Sequence, residues 1–476
     1  MGWKFQNTNG TFFNWLKNER KKMSKVVRFV TLGCKVNQYE TNAMAQKFLE
    51  KGYQIIEEIT PENEDIKPDI CIINTCTVTN MSDRKSRQML RRMKEKNPST
   101  IVVAVGCYAQ VAKKELAKIP EIDLVLGNNE KVEIVKFVEE YINNHINNVE
   151  LDDVMYSKEF SDFGNVTYTE KTRAVIKIQD GCDRFCSYCI IPYARGRVRS
   201  RKPENIISEI TQIASKGIKE VVITGIHIAS YGKDFAMSKD SKLTNYRLID
   251  LLEEINEIQG IQRIRLGSIE PLLITVEFVE RLKKLEKICH HFHLSLQSGC
   301  DETLKRMNRR YTTEQFKEIV RLLRGAYSDV NLTTDIIVGF PGETDEEFNK
   351  TYQFLKEIKF YKMHIFKYSP RKGTKAAVMP NQINGDIKEE RSKKLIELSD
   401  RNEIEYNKSY IGKNVEVLFE EEKDGMYKGH TQNYIMVYCQ SKEKLDNKII
   451  DVVCEKAEKE HIIAIMEQCN KNVIFM

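Results

Sequence analysis

Short β-branched runs alternate with helical stretches between residue 26 and about residue 148. The apolar runs at residues 26–32, 69–73 and 100–105 have the length of buried strands, and amphipathic segments separate them. Alternating strands and helices are typical of a parallel α/β domain. The pattern therefore predicts such a domain at residues 25–146.

The same alternation continues in the middle of the chain. Six strand-like runs with helical segments between them lie at residues 175–178, 220–224, 262–266, 292–296, 331–338 and 363–368. Six β/α repeats predict a partial (β/α)6 barrel at residues 173–400, with its active site at the carboxyl ends of the strands. Residues 147–172 lose all periodicity and are predicted to be a linker.

The pattern changes once more after the helical stretch 388–407. Short alternating runs around residues 411–419, 434–438 and 449–453 predict a small β-barrel at residues 401–476. Residues 1–24 are polar and basic and are predicted to be a disordered extension, with Met23 as an alternative start. A basic arm for RNA is the other interpretation of that segment.

The composition and the lengths of the apolar runs limit which classes of protein this chain can belong to. None of the apolar runs reaches the roughly eighteen residues needed to span a bilayer, so we expect a cytoplasmic protein without a membrane partner. The 12 cysteines occur without a secretory signal, which favours metal or catalytic roles over disulfides. The net charge of +6 permits an anionic partner without requiring one.

Three cysteines stand close together after the first strand of the predicted barrel. Cys182, Cys186 and Cys189 have the spacing C-x3-C-x2-C, and no fourth Cys or His follows within thirty residues. Three thiolates on a four-iron cube leave one iron open. A structural zinc ion normally has four protein ligands, so zinc is the weaker alternative, and three neighbouring cysteines cannot all form disulfides.

This loop resembles the signature of the radical S-adenosylmethionine superfamily, in which an aromatic residue, here Tyr188, precedes the last cysteine. The resemblance implies a [4Fe-4S] cluster on the three cysteines, whose open iron binds S-adenosylmethionine. It also implies that a 5′-deoxyadenosyl radical forms when the cluster is reduced. The protein would then bind and orient the cofactor that performs the difficult chemistry.

Three further cysteines follow the three strand-like runs of the N-terminal domain. Cys34, Cys76 and Cys107 each stand directly beyond such a run. Because the carboxyl ends of parallel strands share one edge, we expect these side chains to converge. They are therefore predicted to hold a second cluster with an open iron. The alternative is that each is a small buried residue at a strand end, as we expect for Cys71 in mid-strand.

Residues 32–41, 74–79 and 106–107 resemble the methylthiotransferases, which carry a second three-cysteine cluster ahead of the radical S-adenosylmethionine domain. The likeness spans nearly the whole chain from about Val26. It implies that the C-terminal barrel is a TRAM domain, an RNA-binding module. That barrel is acidic, however, with nine lysines, no arginine and twelve acids from Tyr410 onwards. Any RNA contact there is predicted to use lysines and aromatics such as Tyr427 and Tyr434.

Motifs rich in glycine or polar residues occupy the predicted carboxyl ends of the barrel strands. The positions predicted to line the cofactor pocket there are Gly225, Glu270, Gln297 and Gly339. Turn chemistry explains each motif equally well when it is taken alone. The histidines at 290, 291 and 293 are predicted to be edge or core residues, because the sequence offers no acidic or cysteine partner nearby. Cys289, Cys300, Cys439, Cys454 and Cys469 are likewise predicted to be packing residues.

Basic residues cluster next to both cysteine groups. Residues 84–96 contain seven cations against Glu95, and residues 195–202 contain five cations without an acid. Both stretches are predicted to contact an anionic substrate. A solvated helix face is the alternative for the first stretch, and pairing with acids of the same domain is the alternative for the second.

Residues 33–38 most resemble the branch that methylthiolates carbon 2 of N6-threonylcarbamoyladenosine, at position 37 next to the anticodon of tRNA. The resemblance implies two [4Fe-4S] clusters, S-adenosylmethionine, a flavodoxin- or ferredoxin-like electron donor and a sulfur donor that it does not identify. Sister branches acting on isopentenyladenosine or on a ribosomal-protein aspartate are alternatives. So is an iron-sulfur sensor that binds RNA without catalysis.

Overall fold

The computed structural model describes residues 25–56, 66–147, 149–169, 172–237 and 240–466. The predicted disordered extension and Cys469 lie outside these residues. Within the described ranges, every helix is too short or too polar to cross a membrane.

The N-terminal unit is a five-stranded parallel sheet with the order β2-β1-β3-β4-β5. Its strands are β1 (Val26–Thr31), β2 (Gln54–Ile56), β3 (Ile70–Thr75), β4 (Ile101–Gly106) and β5 (Leu124–Val125). Its helices are α1 (Lys35–Glu50), α2 (Asn80–Lys96), α3 (Cys107–Val111), α4 (Lys113–Leu116) and α5 (Ile134–Asn144). All strand pairs are parallel, so the carboxyl ends of the strands lie along one edge. The predicted α/β class is confirmed.

The central unit is an incomplete barrel of two four-stranded sheets, with the orders β7-β6-β8-β9 and β10-β11-β12-β13. Its strands are β6 (Arg173–Asp180), β7 (Arg199–Ser200), β8 (Glu220–Gly225), β9 (Arg263–Leu266), β10 (Ser268–Ile269), β11 (His291–Gln297), β12 (Asn331–Val338) and β13 (Lys362–Lys367). Its helices are α6 (Ile191–Arg195), α7 (Pro203–Ser215), α8 (Leu248–Asn256), α9 (Val276–Leu282), α10 (Asp301–Arg306), α11 (Thr313–Ala326), α12 (Asp345–Ile358) and α13 (Gly385–Lys408). All six predicted strands are present. The pattern did not predict β7 and β10, because two residues are too few to show a period.

The strands of the central unit are apolar on one face and polar on the other. In β6, Ala174, Ile176 and Ile178 are buried in the core formed with the surrounding helices. Lys177 and Gln179 alternate with them and lie on the inner face of the barrel. The barrel interior is therefore lined by polar side chains.

Side-chain caps fix where several helices begin. Thr79 Oγ1 accepts a hydrogen bond from Ser82 N at the start of α2. Thr344 and Glu347 form a capping box at the start of α12. These caps satisfy backbone donors that have no partner within the helix.

The C-terminal unit is a closed five-stranded barrel with the order β14-β15-β16-β18-β17. Its strands are β14 (Asn414–Lys423), β15 (Met426–Thr431), β16 (Met436–Cys439), β17 (Ile449–Ala457) and β18 (Ile462–Met466). Cys439 and Cys454 are buried in its core, as predicted. The predicted RNA-stacking role of Tyr427 is wrong, because its ring packs in the same core.

The C-terminal barrel docks at the amino ends of the central strands. Arg263, the first residue of β9, donates to His430 O at 2.9 Å and to Glu416 Oε1 at 2.8 Å. Tyr434 is stacked against His291 and His430, with ring centroids 4.8 and 4.6 Å apart. The prediction that Tyr434 stacks on RNA bases is therefore also wrong, since this interface holds the ring.

The described part of the predicted linker, residues 149–169, is irregular apart from a 3-10 turn at Val154–Tyr156. It is nevertheless packed against its neighbours. Val154 and Val166 are buried, and Val166 N donates to Glu209 Oε2 of α7 at 2.8 Å. The segment therefore lies fixed between the N-terminal and central units.

Candidate functional site

The first cysteine group lies at the carboxyl edge of the N-terminal sheet. Cys34 precedes α1, Cys76 follows β3, and Cys107 begins α3 directly after β4. The three side chains are brought together, as the strand-end positions predicted. The pKa of Cys76 is raised to about 11, mainly by burial and to a smaller extent by nearby Cys107 and Cys34. Burial also raises the pKa of Cys34, with Cys107 adding to the effect and Arg195 opposing it.

Gly33 allows the first two of these cysteines to approach each other. Its backbone has φ +105°, which favours glycine. A Cβ atom at this position would lie 2.8 Å from both Cβ and Sγ of Cys76. Any larger residue would therefore push the β3 end away from Cys34.

The second cysteine group lies in the loop after β6. Burial raises the pKa of Cys182 to about 11 and that of Cys189 to about 12, and in both cases Cys186 adds to the effect. Arg309 Nη1 lies 3.4 Å from Cys186 Sγ and provides a positive charge beside the group. The loop places all three thiols at the carboxyl end of a barrel strand.

The geometry of both groups fits a polynuclear centre better than a single ion. All eleven cysteines within the described ranges are free thiols. Among the described residues, neither cysteine group has all its sulfur atoms within 4.8 Å of one another. A single zinc ion needs such close ligands, whereas an iron-sulfur cube holds its thiolates further apart. Bound iron would also relieve the mutual repulsion that raises these pKa values.

A buried ion network lies between the two cysteine groups. Its members are Glu40, Lys131, Lys177, Asp180 and Arg195, all with side chains at most 6% exposed. Arg195 donates to Glu40 at 2.7 and 3.0 Å and to Asp180 at 3.1 and 3.2 Å. Its Nε lies 3.1 Å from Cys107 Sγ, and it stands six residues after Cys189. The network therefore connects the N-terminal cysteine group to α6, the helix that follows Cys182, Cys186 and Cys189.

The network carries an excess of positive charge. Its three cations face two carboxylates, so one positive charge is left over beside Cys107. Burial alone would raise the pKa of Glu40, but Arg195, Lys131 and Lys177 hold it well below its usual value. Glu40 is thus an anion bonded to three cations at neutral pH.

The basic stretch at 195–202 does not face an approaching substrate as predicted. Arg195 belongs to the buried network, and Arg199 is buried. Arg201 is fully buried and pairs with Glu209 and Asp162 at 3.0 Å each. Of the stretch, Arg197 and Lys202 remain exposed. The prediction was wrong because pairing partners from distant parts of the chain cannot be seen in a local pattern.

The basic stretch at 84–96, unlike the stretch at 195–202, keeps most of its cations exposed. It forms α2, whose side chains Leu90 and Met93 are buried. Lys94 pairs with Asp123 at 2.7 Å, and Arg87 donates to the hydroxyl of Tyr108. The exposed cations of this helix are Arg84, Lys85, Arg91, Arg92 and Lys96. The helix therefore presents positive charge a short distance after Cys76.

The predicted cofactor-lining residues all lie at carboxyl ends of the barrel strands. Gly225 ends β8, Gln297 ends β11 with φ +69°, and Gly339 follows β12 with φ +68°. Gly339 N donates to Glu343 Oε2 at 2.6 Å. Tyr188 packs edge-on to Phe340, with ring centroids 6.3 Å apart, and so connects the cysteine loop to the β12 end.

Glu270 is the most strongly paired of these residues. It accepts a hydrogen bond from Arg309 Nη2 at 2.7 Å and lies 3.7 Å from His227 Nε2. Burial raises the pKa of Glu270, but His227 and Arg309 together lower it below its usual value. No sequence pattern indicates that Arg309 contacts both Glu270 and Cys186, because these residues lie 39 and 123 positions before it in the chain.

The assumption that the histidines at 290, 291 and 293 have no acidic partner nearby is wrong. His293 Nε2 lies 3.1 Å from Asp335 Oδ2, and His364 completes a group whose ligand atoms lie within 4.8 Å of one another. The strand register brings them together, since Asp335 pairs with His364 across β12 and β13. An acidic partner is therefore present, forty-two residues further along the chain than His293.

Comparison with known families agrees with this geometry. Residues 176–355 match the Radical SAM superfamily, and residues 26–127 match Uncharacterized protein family UPF0004. Over 441 residues the chain is 41% identical to "Threonylcarbamoyladenosine tRNA methylthiotransferase MtaB" of Bacillus subtilis (strain 168), covering 90% of this chain and 94% of the relative. The chain belongs to the radical S-adenosylmethionine methylthiotransferase family.

Other relatives of this methylthiotransferase carry a different name. Over 451 residues it is 34% identical to "tRNA-2-methylthio-N(6)-dimethylallyladenosine synthase" of Pelotomaculum thermopropionicum, covering 93% of this chain and 98% of the relative. Among solved structures, the radical S-adenosylmethionine methyltransferase TsrM from Kitasatospora setae aligns with a TM-score of 0.53 at 16% identity, covering 75% of this chain and 74% of that one. That likeness supports the fold alone. The methylthiotransferase is an enzyme, of the transferase class.

Proposed function

We propose that this methylthiotransferase adds a methylthio group to carbon 2 of N6-threonylcarbamoyladenosine next to the anticodon of tRNA. The observation that carries the proposal is the pair of three-cysteine groups on one domain interface, connected by Arg195. A relative named for this nucleoside, 41% identical over nearly the whole chain, supports the choice of substrate.

Each cysteine group would hold one [4Fe-4S] cluster. Cys182, Cys186 and Cys189 would leave one iron open for S-adenosylmethionine, and the N-terminal group would leave one open for the sulfur to be transferred. When bound, the reduced cluster and S-adenosylmethionine supply the radical chemistry that activates carbon 2. A flavodoxin- or ferredoxin-like donor would reduce the centre in the cytoplasm, with sulfur from a separate donor.

The protein's own residues bind and orient these groups. Arg309 places a positive charge between Cys186 and Glu270, both of which it contacts. The carboxyl-end positions Tyr188, Gly225, Gln297 and Gly339 would line the pocket for S-adenosylmethionine. Arg195 contacts Cys107 Sγ through its Nε and, being fully buried, excludes water from that side of the interface.

Helix α2 would provide the contact with the RNA backbone. Its five exposed cations follow Cys76 within one short loop and one helix. Phosphate contacts of this kind position a nucleic acid without reading its sequence. Base selection must therefore come from the interior of the site.

A relative 34% identical to the chain supports a second candidate substrate, N6-dimethylallyladenosine in tRNA. The two candidates differ in the group attached to N6. The first carries a carboxylate and the second is a hydrocarbon.

Cysteine variants test the proposal in anaerobically reconstituted protein. We expect Cys186→Ala to abolish 5′-deoxyadenosine formation. We expect Cys76→Ala to retain that reaction but to stop methylthiolation of tRNA, measured by mass spectrometry of nucleosides. Cys71→Ala, in the strand that precedes Cys76, is the matched control and should retain both. Methylthiolation by the Cys76→Ala variant would contradict the role of the N-terminal group.

A further inference from the structure

Two histidines and an aspartate from three neighbouring strands of the central barrel lie side by side. His293 belongs to β11, Asp335 to β12 and His364 to β13. In the strand register, Asp335 lies directly opposite His364. His293 lies opposite Thr333, which precedes Asp335 by two positions and therefore points to the same face of the sheet. The register alone thus brings the three side chains together.

The flanking residues show that this group points into the barrel. Phe292, Ile336 and Met363 each stand next to one of its members in sequence, and all three are buried in the core between the strands and the helices. Side chains alternate between the two faces of a strand. The two imidazoles and the carboxylate therefore lie on the opposite, inner face.

The distances within the group suit a single metal ion. His293 Nε2 lies 3.1 Å from Asp335 Oδ2, and the imidazole rings of His293 and His364 have their centroids 5.7 Å apart. One ligand atom from each of the three residues lies within 4.8 Å of the other two. A tetrahedral zinc ion, bound to nitrogen and oxygen at about 2.0–2.2 Å, separates its ligand atoms by roughly 3.3 Å. Small side-chain rotations would therefore bring all three atoms to one ion.

Thr333 fixes the orientation of His293. Its Oγ1 lies 3.0 Å from His293 Nδ1 and also 3.0 Å from His291 Nε2. Since Nδ1 of His293 is engaged in this way, Nε2 is the ring atom directed at Asp335. Histidines that bind metals regularly use the other ring nitrogen for such a hydrogen bond, because it holds the ring and the tautomer in place.

The group is accessible to an ion and contains a charge that would compensate it. The side chains of His293 and Asp335 are 14% and 28% exposed, and His364 is exposed. Asp335 provides a negative charge within the group. Lys362, two residues before His364, forms a salt bridge of 2.9 Å with Glu403 of α13, so its charge has a partner of its own.

The donor atoms indicate which kind of ion would bind. Two imidazole nitrogens and one carboxylate oxygen suit a divalent transition metal such as Zn²⁺, whereas Mg²⁺ and Ca²⁺ prefer oxygen ligands alone. Asp335 stands four residues before Gly339, which corresponds to about 13 Å along an extended strand. The group is thus separate from the pocket predicted at the strand ends and from both cysteine groups.

We infer that His293, Asp335 and His364 bind one divalent transition-metal ion such as Zn²⁺. Three protein ligands leave a further position open to water or to an oxygen or nitrogen atom of a ligand inside the barrel. The inference does not depend on the proposed function, since it requires neither the iron-sulfur clusters nor tRNA. The alternative is a hydrogen bond from His293 to Asp335 without a metal.

The test measures zinc binding to anaerobically reconstituted protein that has been dialysed against a chelator. Isothermal titration calorimetry with ZnCl2 gives the stoichiometry and the dissociation constant. X-ray absorption at the zinc edge gives the ligand distances, which are about 2.0–2.2 Å for nitrogen and oxygen but about 2.3 Å for sulfur, and so separates this group from the cysteines. His364→Gln and Asp335→Asn are compared with His290→Gln, because His290 lies 2.7 Å from Asp329 but outside the group.

We expect wild type and His290→Gln to bind one zinc ion per chain through nitrogen and oxygen ligands. His364→Gln and Asp335→Asn should each weaken binding by about a hundredfold or more, since each removes a ligand. Because His364 is exposed, His364→Gln should keep the fold, which circular dichroism verifies. The inference is overturned if the wild type binds no zinc, if the bound zinc has sulfur ligands, or if a folded His364→Gln protein binds zinc as tightly as the wild type.

Discussion

Replacing Glu40 with glutamine tests whether the buried ion network holds the N-terminal and central units together. Glu40 Oε1 lies 2.7 Å from both Lys177 Nζ and Arg195 Nη1, and Oε2 accepts from Lys131 and Arg195. Glutamine has nearly the same shape but carries no charge. The substitution therefore removes the ion pairs without creating a cavity.

The magnitude follows from the charges that remain. In Glu40→Gln, three buried cations face Asp180 alone. Lys131, which is 0% exposed, would keep no carboxylate partner among the described residues. Leaving a buried charge unpaired costs about 3–5 kcal/mol. We expect the free energy of unfolding to fall by about that amount at neutral pH.

The same variant predicts a pH dependence. The pKa of Glu40 in the folded protein lies well below its ordinary value of 4.5, because three cations outweigh the effect of burial. Its stabilisation is therefore present above pH 4.5 and is lost as the pH falls through the lowered pKa. The difference between wild type and Glu40→Gln should shrink on acidification below pH 4.5.

Urea unfolding followed by far-ultraviolet circular dichroism measures this difference. Both tryptophans, at positions 3 and 15, lie outside the described residues, so their fluorescence is unsuitable. Glu346→Gln is the control, because Glu346 is 81% exposed and, within the part of the chain that the structure describes, its only salt bridge is to Lys350 at 3.5 Å. Loss of such a surface pair costs less than about 1 kcal/mol. Equal effects of the two substitutions, or a pH-independent difference, would refute the reasoning.

Two further substitutions test the site geometry. If each cysteine group holds one [4Fe-4S] cluster, as proposed, Gly33→Ala should lower the iron content from about eight to about four per chain, because its Cβ would lie 2.8 Å from Cys76 Sγ. Gly52→Ala, also at positive φ but in open space, should keep the iron content of the wild type. Arg371→Met removes hydrogen bonds to Thr77, Asn80 and Asp83, each 2.6 Å long. It should increase amide hydrogen exchange in the first turn of α2, whereas Arg321→Met, which removes exposed ion pairs with Glu314 and Glu318, should not. Unchanged iron in the first case, or unchanged exchange in the second, would contradict the assigned contacts.

The sequence by itself determined the secondary structure and the convergence of the cysteines. Hydrophobic periodicity is a local property, so the six long barrel strands and the parallel N-terminal sheet could be predicted from it. Cys34, Cys76 and Cys107 could be placed together because parallel strands end at a common edge. That inference needed only the strand ends and no knowledge of side-chain packing.

Only the tertiary structure decided which charged side chains are buried in ion pairs and which are exposed. Arg195 and Arg201 belong to a run of cations that looks like a surface, yet both are fully buried. One partner of Arg195, Glu40, comes from the N-terminal unit, and one partner of Arg201, Asp162, comes from the segment between the units, so no local pattern reveals these pairs. The same holds for Arg263 of the central unit, whose partner Glu416 lies in the C-terminal barrel. Whether a charged side chain is paired depends on which groups lie next to it in space. These neighbours are determined only when the units pack against one another.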